Sequence, residues 1–338
     1  MHRTASGPNK ELLLVAVFIT FNSVSYFLIQ YDRMRTVSNT WVRTMLDGAA
    51  TAPSQYRIGL ALLARFLELS VHLRPNQSVP LIQFVSYAGA LTLLYLLFRS
   101  SPRVENATQP RRFVLLGFFL AAVQFPVLWI FPWERWETLL IPFYLAAVVL
   151  LVVRRSRIPF GIVCVLTVLL AFGQALIRAE VPVAVGVAIV LSAAVAVPFP
   201  RPRSQTAILG VLCGLVGGGM QFYLQRVAYP NAAYAPNVPK IQLLANLNPF
   251  HPPIHIPIFV TALLPYIVSL ALLRRHRIQI DSCDKLVLLI CLVYLPFWIT
   301  MGLIVEVRIF VPFLLLASPT IAKIWGSYLL EEATDRAT

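Results

Sequence analysis

Between Leu286 and Ile321 the chain carries two charged residues, Glu306 and Arg308, in the turn Val305-Glu306-Val307-Arg308-Ile309. A hairpin tip in water usually uses Gly, Asn, Ser or Pro. Here Val, Ile and Phe flank both charges, which points to membrane depth. A charge there costs about 2.5–3.5 kcal/mol on insertion scales unless it is paired or faces a polar cavity. Two chemistries suit the turn: a local Glu306–Arg308 pair that closes the hairpin, or an anionic ligand held by Arg308 and oriented by Glu306. Arg suits phosphate because its planar fork donates two hydrogen bonds at once. Arg57, in the triplet Gln55-Tyr56-Arg57, and Arg178, just ahead of Glu180, are read in the same way. Their alternatives are a snorkelling arginine and a solvated turn.

Asp32, directly after the first apolar run, is the candidate catalytic group. A carboxylate at a membrane face can take a proton from an acceptor hydroxyl. The alternative is a helix-end carboxylate paired with Arg33 or Arg35. Asp47 either joins such a site or belongs to the turn dipeptide Asp47-Gly48. No Walker loop, G-x-S-x-G or H-E-x-x-H occurs, so no soluble-enzyme motif supports another chemistry. His251 and His255 are four apart, but Pro252, Pro253 and Pro257 deny them a helix. No metal site and no cofactor are expected, and a divalent ion has no ligand cluster to support it. Cys164, Cys213, Cys283 and Cys291 form no C-x-x-C and read as free thiols.

The elements that position these residues follow from composition. Of 338 residues, 58% are apolar and 12% charged, against about 25% charged in a typical soluble domain. Lipid offers the backbone no hydrogen bonds, so a spanning chain is helical or a closed barrel. Long apolar runs, rather than ten-residue alternation, select helices. The expected fold is all-α: a single multi-pass domain over 1–338 with about ten transmembrane helices. Spans are expected over 11–30, 79–98, 113–133, 137–153, 158–177, 181–199, 206–225, 254–273, 286–305 and 309–327. The net charge of +14 would suggest nucleic acid in a soluble protein. Here most basic residues sit in alternate short loops, such as Arg99–Arg112, Arg154–Arg157 and Arg274–Lys285. That pattern speaks for membrane topology and lipid contact, with both termini cytoplasmic and no nucleic acid.

Two outer loops are long. The first, 31–78, holds a helical stripe of Arg57, Ala61, Arg65, Glu68 and His72, so an amphipathic helix lying in the membrane interface is expected. The second, 226–253, is rich in Tyr, Asn and Pro. Gly210, Gly214 and Gly218, spaced by four, mark a close-packing face on the seventh span.

A first span ending in an acidic residue, a long outer loop with an interfacial helix, short basic inner loops and a late second outer loop together resemble the C-type (GT-C) integral membrane glycosyltransferases and their bacterial relatives. The segments Gln55-Tyr56-Arg57 and Glu306-Val307-Arg308 are similar to elements of small bacterial membrane proteins of that kind. The resemblance implies transfer of a sugar from a polyprenyl-phosphate carrier at the outer face of a cell membrane, the bacterial inner membrane. It implies Asp32 as the catalytic carboxylate and Arg57 and Arg308 as phosphate binders. The first loop departs from that pattern in lacking an adjacent acidic pair such as D-x-D. Two other functions fit the same layout. A transporter or flippase would show broken helices or mid-membrane charges. A non-catalytic assembly subunit would leave the outer charges scattered.

Reporter fusions near residues 40 and 240 should give outside signals, and fusions at either end of the chain cytoplasmic ones. A cytoplasmic signal from either loop overturns the orientation.

Overall fold

The computed structural model describes residues 8–35, 40–50, 56–99, 140–153, 158–232, 255–301 and 310–335. Among these the regular structure is all helical: α1 (Pro8–Arg35), α2 (Thr40–Leu46), α3 (Gly59–Val71), α4 (Pro75–Arg99), α5 (Leu140–Val153), α6 (Phe160–Arg178), α7 (Glu180–Ala194), α8 (Arg203–Tyr223), α9 (His255–His276), α10 (Ser282–Met301) and α11 (Val311–Asp335). A π-helical turn, Leu224–Ala228, extends α8. The expected span at 113–133, the turn with Glu306 and Arg308, and most of the second outer loop lie outside the described residues.

Among the described residues, five helices are long and apolar enough to cross a membrane: Leu12–Arg35, Pro75–Leu97, Phe160–Arg178, Arg203–Ala228 and Ser282–Thr300. The helices Leu140–Val153 and Glu180–Ala194 are apolar but shorter. The molecule is a helical, multi-pass membrane protein by these lengths and compositions. The side chains agree. Leu12, Leu13, Leu14, Val17, Phe21 and Leu28 are exposed along α1, an arrangement that water would penalise and acyl chains do not. One side of α1 rests on α4, with Tyr26 against Tyr87 at 5.3 Å and Phe27 edge-on to Phe84 at 6.0 Å.

The helix expected in the first loop is α3. Its Leu60, Ala61 and Ala64 are buried with Met34, Val42, Val79 and Ile82, while Leu62, Leu63, Phe66 and Leu69 face outward. Arg65 and Glu68 pair at 2.6 Å across one turn. The helix stops at His72, which adopts a left-handed conformation (φ 59°) and donates its backbone N–H to Leu67. Pro75 then opens α4 as a residue with no N–H to lose at a helix start.

The close-packing seam is real but shifted from its expected register. A Cβ on Gly186 of α7 would lie 2.5 Å from the Gly210 carbonyl oxygen and 2.6 Å from the Gly214 nitrogen of α8. Gly217 continues the seam, with Ala179 O, Pro182 and Val183 each at 3.0 Å from its would-be Cβ, whereas Gly218 meets nothing within 4 Å. A helix repeats every 3.6 residues, so position 217, seven from 210, returns to the same face and 218 drifts off it.

Polar contacts tie α9, α10 and α11. The Tyr266 hydroxyl donates to the Leu288 carbonyl at 2.8 Å, and the Trp325 indole to Ser269 Oγ at 2.9 Å. At one end Lys323 Nζ meets Asp284 at 2.9 and 3.2 Å and Asp281 at 3.5 Å, and Thr320 donates to Asp284 at 2.7 Å. Ser282 donates to the Pro198 carbonyl, which joins this end to the α7–α8 connection. In the core, Tyr294 stacks on Phe313 at 3.7 Å and Trp298 on Phe310 at 5.0 Å.

Gly186→Leu should force α7 and α8 apart and lower stability by about 1–3 kcal/mol or more, read as thermal unfolding in detergent. Gly218→Ala should be near neutral or slightly stabilising. Equal loss from both substitutions contradicts the seam.

Candidate functional site

The charged residues of interest gather where the first loop meets the ends of α6 and α8. Gly59, the first residue of α3, is the reason they can. A Cβ there would lie 2.9 Å from Ile177 Cγ1, 3.1 Å from Leu176 Cβ and 3.2 Å from the Leu176 carbonyl carbon. Only glycine lets the start of α3 lie directly on the end of α6. Arg57 stands two residues before Gly59, close enough for its field to reach Glu180. Tyr56 and Ile58, on either side of Arg57, are buried with Leu224, Leu176 and Tyr229. The Tyr56 hydroxyl donates to the Ala232 carbonyl at 3.4 Å. Gly48, in a left-handed turn at φ 75°, sits against the Tyr229 ring. The first loop is thus clamped to the opening of the second.

Arg178 is buried, at 9% exposure, so the solvated-turn alternative is excluded. Its Nε and Nη2 both lie 2.6 Å from Oε1 of Glu180. Arg57 acts on the same carboxylate. Burial pushes the Glu180 carboxyl up, but the fields of Arg178 and then Arg57 outweigh it and hold the group below the ordinary glutamate value. The Tyr294 hydroxyl lies within the fields of Arg178, Glu180 and Arg57. Through Tyr294 the cluster adjoins the aromatic stack with Phe297, Phe310 and Phe313. Such a cluster can hold an anion: the arginine forks supply donors and Glu180 fixes the orientation of Arg178.

Of the residues expected to form a site, Arg57 and Arg178 both act on the Glu180 carboxylate. Asp32 does not join them in any contact among the described residues. It is 82% exposed at the end of α1, with Arg35 Nη1 at 3.9 Å, the helix-end pairing anticipated as its alternative. Two residues on, Met34 turns inward to the α2–α3–α4 cluster, so Asp32 faces the other way. Asp47 is exposed and ends α2, its N–H donating to the Arg43 carbonyl at 2.8 Å, in the turn expected of Asp47-Gly48. Arg308 and Glu306 lie outside the described residues.

Glu180, named from sequence only as the neighbour of Arg178, is its ion-pair partner, and two contributors were missed. Tyr294 looked like one aromatic among many in an apolar run. Gln174 lies one turn before Arg178 on α6, and its position four residues from an arginine inside an apolar run was the signal available. Among the described residues no group of three or more His, Cys, Asp or Glu could hold a metal ion. No family model, curated protein or solved structure matches the chain.

The lowered Glu180 value sets the sign of a pH effect. Stability from the Arg178–Glu180 pair is fully present above the unfolded glutamate pKa of about 4.3 and is lost as pH falls through the lowered folded value. The unfolding temperature in detergent should therefore drop more steeply below about pH 4 in the parent than in Glu180→Gln. Parallel acid limbs would show that Glu180 is not held by the two arginines.

Proposed function

We propose that the chain is a glycosyltransferase-like membrane protein that takes a sugar from a polyprenyl-phosphate carrier at the outer face of a cell membrane, the bacterial inner membrane. In this reading it spans the bilayer about ten times, as its apolar runs suggest, with both ends in the cytoplasm. The observation that carries the proposal is that Arg178 pairs with Glu180 at 2.6 Å while the field of Arg57, from a separate segment, reaches the same carboxylate. Isolated snorkelling arginines have no reason to act on one carboxylate. A carrier phosphodiester is an anion of the kind that arginine forks suit. Five long apolar helices supply the surroundings that a polyprenyl chain needs.

The chemistry divides between groups. Arg57 and Arg178, with Arg308 of the last hairpin, bind the phosphate; Glu180 positions Arg178. In this reading Glu306 and Asp47 serve as carboxylates for substrate hydroxyls. An acceptor hydroxyl attacks the anomeric carbon, the bond from that carbon to the phosphate oxygen breaks, and the carrier phosphate leaves with the electron pair. Arginine forks stabilise the charge that develops there. Asp32 takes the proton from the attacking hydroxyl.

The outward position of Asp32, beside Arg35, favours one second reading: a subunit that binds the carrier lipid for a partner enzyme without catalysis of its own. Two measurements separate the readings. Arg57→Gln should weaken binding of polyprenyl phosphate by about tenfold or more, the loss of a charged hydrogen bond, and Arg308→Leu should do so while sparing insertion. Asp32→Asn should leave binding intact and cut sugar transfer by about 10²–10⁴-fold. Carrier binding unchanged in both arginine variants overturns the phosphate site. Intact arginine dependence with transfer indifferent to Asp32 leaves the carrier-binding subunit as the better account.

A further inference from the structure

Gln174 is 2% exposed, and among the described residues neither its amide nitrogen nor its amide oxygen has a hydrogen-bond partner. Buried amides are nearly always satisfied, so one that offers both atoms unmet calls for an explanation. Thr167, fully buried on the same face of α6, is likewise without a partner for Oγ1. Ala171 and Ala175, small and buried, lie between these polar positions. Residues four apart on a helix are neighbours on one face, so Gln174 stands one turn, about 5.4 Å, from Arg178. The polar face of α6 therefore runs from the guanidinium cluster into the bundle.

The type of side chain narrows what could meet it. An ionised phosphate accepts hydrogen bonds and donates none. The amide nitrogen could serve a phosphate, but the amide oxygen needs a donor. A hydroxyl both donates and accepts. One helical turn is about the reach from a phosphate to the hydroxyls of a sugar ring attached to it.

We propose that Gln174 recognises the hydroxyl-bearing headgroup of a glycosyl phosphate whose phosphate is held by Arg178 and Arg57. The inference rests on the phosphate reading above and extends it: Gln174 makes the site prefer a glycosylated phosphate over a bare one. The same headgroup chemistry occurs in a polyprenyl-phosphate sugar and in a water-soluble sugar 1-phosphate.

The full chain in lipid nanodiscs tests this with three probes: polyprenyl-phosphate hexose, bare polyprenyl phosphate and hexose 1-phosphate. The parent should bind the glycosylated lipid at least about tenfold more tightly than the bare carrier, as expected of a site built to hydrogen-bond a hydroxyl. Gln174→Leu, similar in volume and without polar atoms, should erase that preference while bare-carrier binding and the Tm stay at or above parental levels. Gln174→Met provides the same reading should the leucine variant not fold. Competition by hexose 1-phosphate as strong as by the lipid would assign the headgroup to a soluble ligand, and loss of its binding in Gln174→Leu supports the proposal from that source. A preference that survives in both variants, or a parent with none, overturns the role of Gln174 while leaving the phosphate site standing. A parent that binds no probe overturns the phosphate reading and this inference with it.

Discussion

A guanidinium buried at the end of an apolar helix has to be neutralised where it stands. Arg178 closes α6 with little access to solvent, and the cost of an unpaired charge there exceeds most single interactions in a fold. Glu180, two residues on, supplies the carboxylate at 2.6 Å. The neighbouring elements are arranged around that pair. The single-residue link between α6 and α7 keeps the two side chains together. Gly59 lets the start of α3 approach the α6 terminus, and the field of Arg57, two residues before it, reaches the same carboxylate. The α7–α8 glycine seam holds Ala179 and Pro182 against Gly217, which fixes the base of the same turn.

The fields of Arg178 and Arg57 both act on the Glu180 carboxylate, and arginine forks in a poorly hydrated place suit an anion. The tether of Tyr56 to Ala232 and the contact of Gly48 with Tyr229 join the two loops that border it. This is preorganisation: the donors are oriented before a ligand arrives, which reduces the ordering cost of binding.

Much of the fold could be read from the sequence, because lipid leaves the backbone few choices. The apolar runs over 158–177 and 206–225 became α6 and α8 within a few residues. The stripe from Arg57 to His72 foretold α3. Tertiary contacts were less legible. Spacing by four nominated Gly218, but the partner Gly186 and the helical period chose Gly217. Arg178-Ala179-Glu180 reads as a wet turn until α3 and the second loop cover it. Lys323 and Asp284 stand 39 residues apart, so nothing local in the sequence pairs them. Gln174 looked like a stray polar residue because its meaning depends on the burial of the whole α6 face.

The central claim is that Arg57 and Arg178 act on one and the same anion. A double-mutant cycle on the Kd for polyprenyl phosphate measures this most directly, with Arg57→Gln, Arg178→Gln and the double variant in nanodiscs. Two donors on a shared phosphate predict non-additive losses, with a coupling of roughly 0.5–3 kcal/mol. Losses that simply add, or a double variant that binds as tightly as the parent, would contradict a common site.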